Sequence, residues 1–215
     1  MFKKVLPFVL LGLMFAVSLY AYTMLPAQVA SHWNAAGVAD GYSSRTFGAF
    51  FLPILAGVLY FFLKYVPRLD PRYKNIEEFQ GRYTEFLIVF LVFFGYLHIL
   101  TLLWNLGYKF DFVTYFLPAF GGLFYEVGRL VEVAKPNWTI GVRTPWTLSS
   151  ESVWRGTHAL AGKLFKVLGV ITLACMVIPT YAFFVFIPIT LAVTITVFVY
   201  SYILYHREQK NKNQK

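Results

Sequence analysis

Six stretches of this chain are long, apolar and nearly free of charge, and they restrict the possible folds more than any other feature. They cover roughly residues 5–25, 47–66, 84–106, 112–130, 162–178 and 181–205, with a tight break at Pro179-Thr180 between the last two. About 20 apolar residues wound as a helix match the hydrocarbon core of a bilayer. No water is available there to satisfy an open backbone, so each stretch is expected to be helical. The expected fold is therefore an all-α membrane protein, a six-span transmembrane helical bundle. Charged residues make up 13% of the chain, about half the usual share of a soluble domain. The first stretch follows Lys3 and Lys4 as a signal peptide would, but its length and the spans behind it favour an uncleaved anchor.

Lysine and arginine set the expected orientation. With the N-terminus in the cytoplasm, 17 of the 19 Lys and Arg fall on the inner side, and Arg45 and Lys109 alone fall outside. Positive residues concentrate on the cytoplasmic side of membrane proteins, so both termini are expected there. The net charge of +9 then reads as a topology signal and a hold on anionic lipid, with no direct nucleic-acid partner. The chain divides into a two-span unit over residues 1–66, a four-span unit over 67–206 and a disordered basic tail over 207–215. Cys175 is the only cysteine, which excludes an internal disulfide.

One inner loop has a composition that lipid alone does not explain. Residues 137–154 read NWTIGVRTPWTLSSESVW. Gly141 permits a close approach or a backbone conformation that a side chain would block. Pro145 fixes its own φ and pushes Thr144 towards extended geometry, so a helix has to start afresh there. Arg143 offers a planar fork of donors suited to a carboxylate or a phosphate, or to backbone carbonyls, with Glu126 and Glu132 as further partners. Ser149 or Ser150 is placed to cap the next helix, where Glu151 and Arg155 are four apart in the order that favours an ion pair. Trp154 and His158, also four apart, share a face of that helix.

The outer side offers a second set of polar residues. His98, Thr101, Asn105 and Tyr108 are spaced to lie on one face of the third span. They form either inter-helix hydrogen bonds or a polar pocket opening outwards beneath His32, Trp33, Asn34 and Asp40. His32 and Asp40 alone are too few to define a metal site, and Asp40-Gly41 reads equally well as a turn.

The run Asn137, Ile140, Gly141, Arg143, Thr144, Pro145, Trp146, Thr147, Leu148, then Val153, Trp154, Thr157 and His158, resembles the SdpI family of bacterial multi-pass membrane proteins. The first outer loop, LPAQVASHWNAAGVADGYSSR, resembles the N-terminal domain of unknown function that precedes the motif domain in many members. Gly128-Arg129 departs from the Gly-Asn of the family pattern. The resemblance implies an immunity or sensor protein that protects a bacterium from a secreted antimicrobial peptide and holds a cytoplasmic repressor at the membrane. On that reading His32, Trp33, Asn34, Asp40, His98, Thr101 and Asn105 face the peptide. Asn137, Gly141, Arg143, Thr144, Pro145, Trp146, Thr147, Trp154 and His158 form the inner, partner-facing motif, with Trp146 and Trp154 as an apolar surface. The plainer alternatives are that the tryptophans belong to the membrane-interface belt and that the loop only braces the bundle. No HExxH, GxSxG or phosphate-binding glycine loop is present, so no enzyme, cofactor or metal is expected. A small-solute or lipid transporter is the competing class, although the halves show no clear repeat and no span carries a central acidic residue.

Overall fold

The computed structural model describes residues 2–214; Lys215, counted above among the inner charges, lies outside them. The chain is mostly helical. Helix α1 (Phe2–Tyr22) leads into strands β1 (Gln28–Trp33) and β2 (Ala39–Ser44), then α2 (Arg45–Tyr65). A 3₁₀ turn at Val66–Leu69 and the short α3 (Tyr73–Glu77) precede α4 (Gln80–Asn105) and α5 (Phe112–Val133). The short α6 (Pro145–Ser149), α7 (Glu151–Ala174) and α8 (Ala182–Asn213) complete the chain. Among the described residues, five helical segments are long and apolar enough to cross a membrane: Phe2–Tyr22, Arg45–Leu69, Gln80–Asn105, Glu151–Val177 and Pro179–Asn213. Helix α5, with 22 residues, is less apolar because Glu126, Arg129 and Glu132 occupy its last turns.

Two features correct the sequence reading. The first outer loop is an antiparallel hairpin, so the fold is not purely α. Its turn lies at residues 34–37, where Gly37 has φ +74° and the Asn34 side chain accepts the Ala36 and Val38 N–H groups. Asp40-Gly41 is thus strand, not turn. Gly41 pairs with His32, so close that a Cβ there would stand 2.8 Å from His32 Cβ. The second correction is the tail: α8 continues through Asn213. Glu208 accepts hydrogen bonds from Ser150 and Ser152, both 2.5 Å, and pairs with Lys212 four residues on. Those bonds tie the helix to the start of α7 and keep it wound beyond the apolar segment.

Helices α5 and α7 meet backbone to backbone. Cβ atoms built on Gly121 and Gly169 would stand 2.9 and 2.6 Å from the carbonyl oxygen of the other residue. Gly128 and Gly162 mirror this at 2.7 and 2.9 Å. Both pairs sit seven residues apart on their helices, so two glycine contacts two turns apart hold the crossing. Small residues allow this approach between membrane helices, where dispersion packing takes over from the hydrophobic effect. Helix α4 packs against α1, α2 and α5 and is the central post of the bundle.

Candidate functional site

The 134–158 segment folds as one hydrogen-bonded knot at the shared end of α5 and α7. Asn137 is fully buried, and its amide nitrogen donates to the Lys135 carbonyl (2.7 Å) and the Ile140 carbonyl (2.9 Å). Its oxygen accepts the Thr139 N–H (2.8 Å) and the Ile140 N–H (2.5 Å). One side chain thus supplies the turn that backbone pairing would supply elsewhere. Gly141 follows with φ +119°, the left-handed region that glycine alone enters at little cost. Its missing side chain matters as much: a Cβ would lie 2.4 Å from His158 Nε2 and 3.3 Å from Trp154 Cζ2.

Trp154 and His158 form the floor of the knot. Both are buried and stacked, with ring centroids 3.9 Å apart and planes 16° from parallel. Trp154 Nε1–H donates to the Ala134 carbonyl at 2.7 Å. His158 Nε2 accepts the Val142 N–H at 3.0 Å, and Nδ1 donates to the Trp154 carbonyl at 2.8 Å. A neutral Nδ1–H imidazole fits those partners. Every ring nitrogen is engaged, so the pair binds loop to helix and has no free group for chemistry. Trp154 is not part of an exposed apolar surface.

Helix α6 begins as the proline requires. Thr144 is its N-cap, its hydroxyl accepting the Thr147 N–H (3.2 Å), while the Thr147 hydroxyl accepts the Thr144 N–H (2.9 Å). Pro145 takes the first helical position, where its missing N–H costs nothing. Trp146 lies edge-on to Phe198 and Tyr202 of α8, at 5.0 and 5.2 Å, and Thr144 Oγ1 is 3.1 Å from Ser201 Oγ. Ser150 caps α7. Glu151 and Arg155 are both exposed and form no ion pair; water competes well for such surface charges.

Arg143 points outwards and donates Nη1–H to the Trp138 carbonyl at 2.6 Å. Neither Glu126 nor Glu132 pairs with it. Glu126 bonds Arg129 at 2.9 Å and Glu132 bonds Lys166 at 2.8 Å, while Glu85 joins Arg82 and Lys3. Those acids already have partners nearer to them along or across the helices.

Asp70 completes the knot and was not singled out in the sequence. It lies in the turn after α2 and accepts the Trp138 N–H (2.8 Å), the Thr139 hydroxyl (2.5 Å) and the Arg72 N–H (2.8 Å). Asn75 donates to the Pro136 carbonyl at 2.6 Å. The 67–79 turn therefore clasps the motif. A separation of 68 residues hides that contact from any local pattern; the nearest signal is an acid set between Arg68 and Arg72.

At the opposite end the structure brings together part of the expected outer set. His32 Nδ1 lies 2.5 Å from Asp40 Oδ1 on the exposed face of the hairpin. Trp33 stacks on Phe112, centroids 3.9 Å apart, and meets Trp104 edge-on at 5.5 Å. His32, Trp33, Asn34 and Thr101 line one cavity of about 310 Å³ together with Phe112 and Phe183. Asn105, one turn beyond Thr101 and outside this lining, works as a clamp: Oδ1 accepts the Ala30 N–H (2.7 Å) and Nδ2 donates to the Ala30 carbonyl (2.9 Å). His98 faces α1, its Nε2 2.9 Å from Ser18 Oγ, and does not line this cavity. Because the Ser18 hydroxyl donates to the Ala49 carbonyl at 2.6 Å, Nε2 is the donor and Nδ1 is left buried without a partner. Among the described residues, no group of three or more His, Cys, Asp or Glu could hold a metal ion.

Known proteins match both ends of this arrangement. Residues 9–57 match the model of a domain of unknown function, DUF1648, and residues 133–202 match that of the SdpI/YfhL protein family. The immunity protein SdpI of Bacillus subtilis (strain 168) is 27% identical over 170 residues, 79% of each chain. No solved structure matches. The knot thus coincides with the start of the segment that matches the SdpI/YfhL family model, and the hairpin lies inside the segment that matches DUF1648, in a multi-pass membrane protein similar to an immunity protein.

Proposed function

We propose that this protein sits in the bacterial cytoplasmic membrane and protects its cell from a secreted, membrane-acting peptide. The likeness to an immunity protein over 79% of both chains carries this reading. Helix α5 is the sixth span: its 22 residues give about 33 Å, enough for the hydrocarbon core. Its buried Glu126 is paired with Arg129, which lowers the cost of a charge near the membrane. The Lys and Arg bias then puts both termini and the knot inside and the hairpin outside.

In this arrangement the peptide meets the hairpin and the cavity below it. A cytoplasmic repressor docks on what the knot leaves exposed: Trp138, Arg143, Pro145 and Ser149. Helix α4 joins the two ends, clamping β1 through Asn105 and reaching the inner turn at its start. Signalling through it needs two conformations that bind the peptide with different affinity.

The test is expression in a sensitive bacterium challenged with purified toxic peptides. Survival should rise with the intact protein and fall with a His32→Ala, Trp33→Ala variant that still reaches the membrane. No gain in survival against any peptide tried sinks the immunity reading. Protection that survives the double variant moves the contact away from the hairpin.

A further inference from the structure

A cleft of about 560 Å³ opens beside the knot, within the roughly 300–1,000 Å³ range of small-ligand sites. Its walls are the inner ends of α2 and α5, which do not pack against each other, and α4 forms its floor. Phe62 stands at its edge, 59% exposed, while Phe86, Val127 and Leu130 face inwards. Residues 139–143 of the motif close the end. The polar side chains lining it are few, and most are already engaged. Tyr83 donates to the Leu63 carbonyl and Thr139 to Asp70. Arg143 is the exception: it is the sole charged residue of the lining, it is exposed, and among the described residues a single N–H of its five donors is bonded.

Such a cleft suits an amphiphile with one anionic group and a long apolar tail. We propose that it binds a phospholipid with an anionic headgroup, its phosphate on the Arg143 guanidinium and an acyl chain lying between α2 and α5. A guanidinium fork matches phosphate oxygens. The lining is mostly apolar side chains on helices whose backbone is largely bonded within itself, which suits an acyl chain better than an inserted peptide backbone. Trp138 supports the headgroup position. It is half exposed, its carbonyl holds Arg143, and the Arg72 guanidinium lies 6.0 Å from its ring centroid, which puts a second cation beside the residue that holds Arg143. The lipid would seal the open side of the knot, so the motif would be assembled partly by the membrane around it. A partner carrying acidic groups would then have to displace the headgroup to reach Arg143.

Native mass spectrometry of the detergent-purified protein tests this with phosphatidylglycerol and phosphatidylcholine of identical chains. One phosphatidylglycerol should be retained in preference, and Arg143→Gln should cut that preference about fivefold, the usual effect of one basic residue on an anionic headgroup. Arg143→Lys should keep part of it. Val127→Trp, which fills the cleft, should reduce retention of both lipids. Arg143→Gln alters an exposed side chain, and its unfolding temperature in the same detergent separates a folding loss from a lost headgroup contact. Equal retention of the two lipids, or phosphatidylglycerol retention indifferent to Arg143→Gln, overturns the proposal. So does an acidic peptide that binds at Arg143 without displacing lipid. None of these outcomes depends on whether the protein confers immunity.

Discussion

A methyl group at Gly141 has no room: it would sit 2.4 Å from His158 Nε2, on a backbone with φ +119°. Gly141→Ala should therefore destabilise the protein by roughly 1–3 kcal/mol, the cost of a non-glycine residue forced into such a conformation. Asp70→Ala should cost about 1 kcal/mol, because the part-buried donors on Trp138 and Thr139 lose their acceptor. Arg143→Gln should change stability by no more than about 0.5 kcal/mol, as exposed substitutions usually do. Thermal unfolding in one detergent would rank the three, and an equal loss for Arg143→Gln would make that residue part of the brace. The sequence made Gly141, Pro145 and the extended Thr144 legible because each acts through its own backbone; that the Thr144 hydroxyl caps α6 came only with the structure. It did not reveal that Trp154 is buried or that Asp70 matters. Those properties depend on which segment closes over them, and a tryptophan near an apolar run has the same appearance at an interface and in a core.

Among the elements, the α5–α7 crossing carries a sharper consequence than any cap. Gly128 and Gly162 leave no space for a side chain, whereas a Cβ on Gly122, on the same helix, would meet nothing within 4 Å. Gly128→Leu should separate the helices and prevent accumulation of folded protein in the membrane. Gly122→Ala should be tolerated, and it gains up to ~1 kcal/mol of helix propensity. Membrane-fraction yield and unfolding temperature of the two variants would check this; comparable yields would mean that the helices do not approach so closely. The helices themselves were readable from run length, since lipid imposes it. The seven-residue glycine spacing was present in the sequence as well, but a glycine in an apolar run carries no mark of which helix it faces. The hairpin was obscured for another reason: QVASHW and ADGYSS lack clean apolar alternation, and Asn105 of a distant helix supplies the bonds that seat the first strand.

For the whole molecule, the sidedness of hairpin and knot decides how an extracellular peptide could influence a cytoplasmic partner, and it turns on α5. One membrane crossing, α1, precedes the hairpin. If α5 crosses as well, α1, α2, α4 and α5 all precede the knot, and the two features lie on opposite sides. If α5 lies along the surface, knot and hairpin share a side and no transmembrane message is needed. Single cysteines separate the cases. Cys175 is buried and should remain silent towards a membrane-impermeant maleimide. Val38, 59% exposed beyond the hairpin turn, and Ser149, exposed at the end of α6, are suitable positions. Val38→Cys should label in intact cells and Ser149→Cys only after the membrane is opened. Labelling of both in intact cells would remove α5 from the spans, and the reverse pattern would invert the bundle. In either case the repressor-docking role of Trp138, Arg143, Pro145 and Ser149 would fail, because no cytoplasmic protein could reach them. The lipid cleft would survive, since its recognition needs only an anionic headgroup in whichever leaflet Arg143 faces.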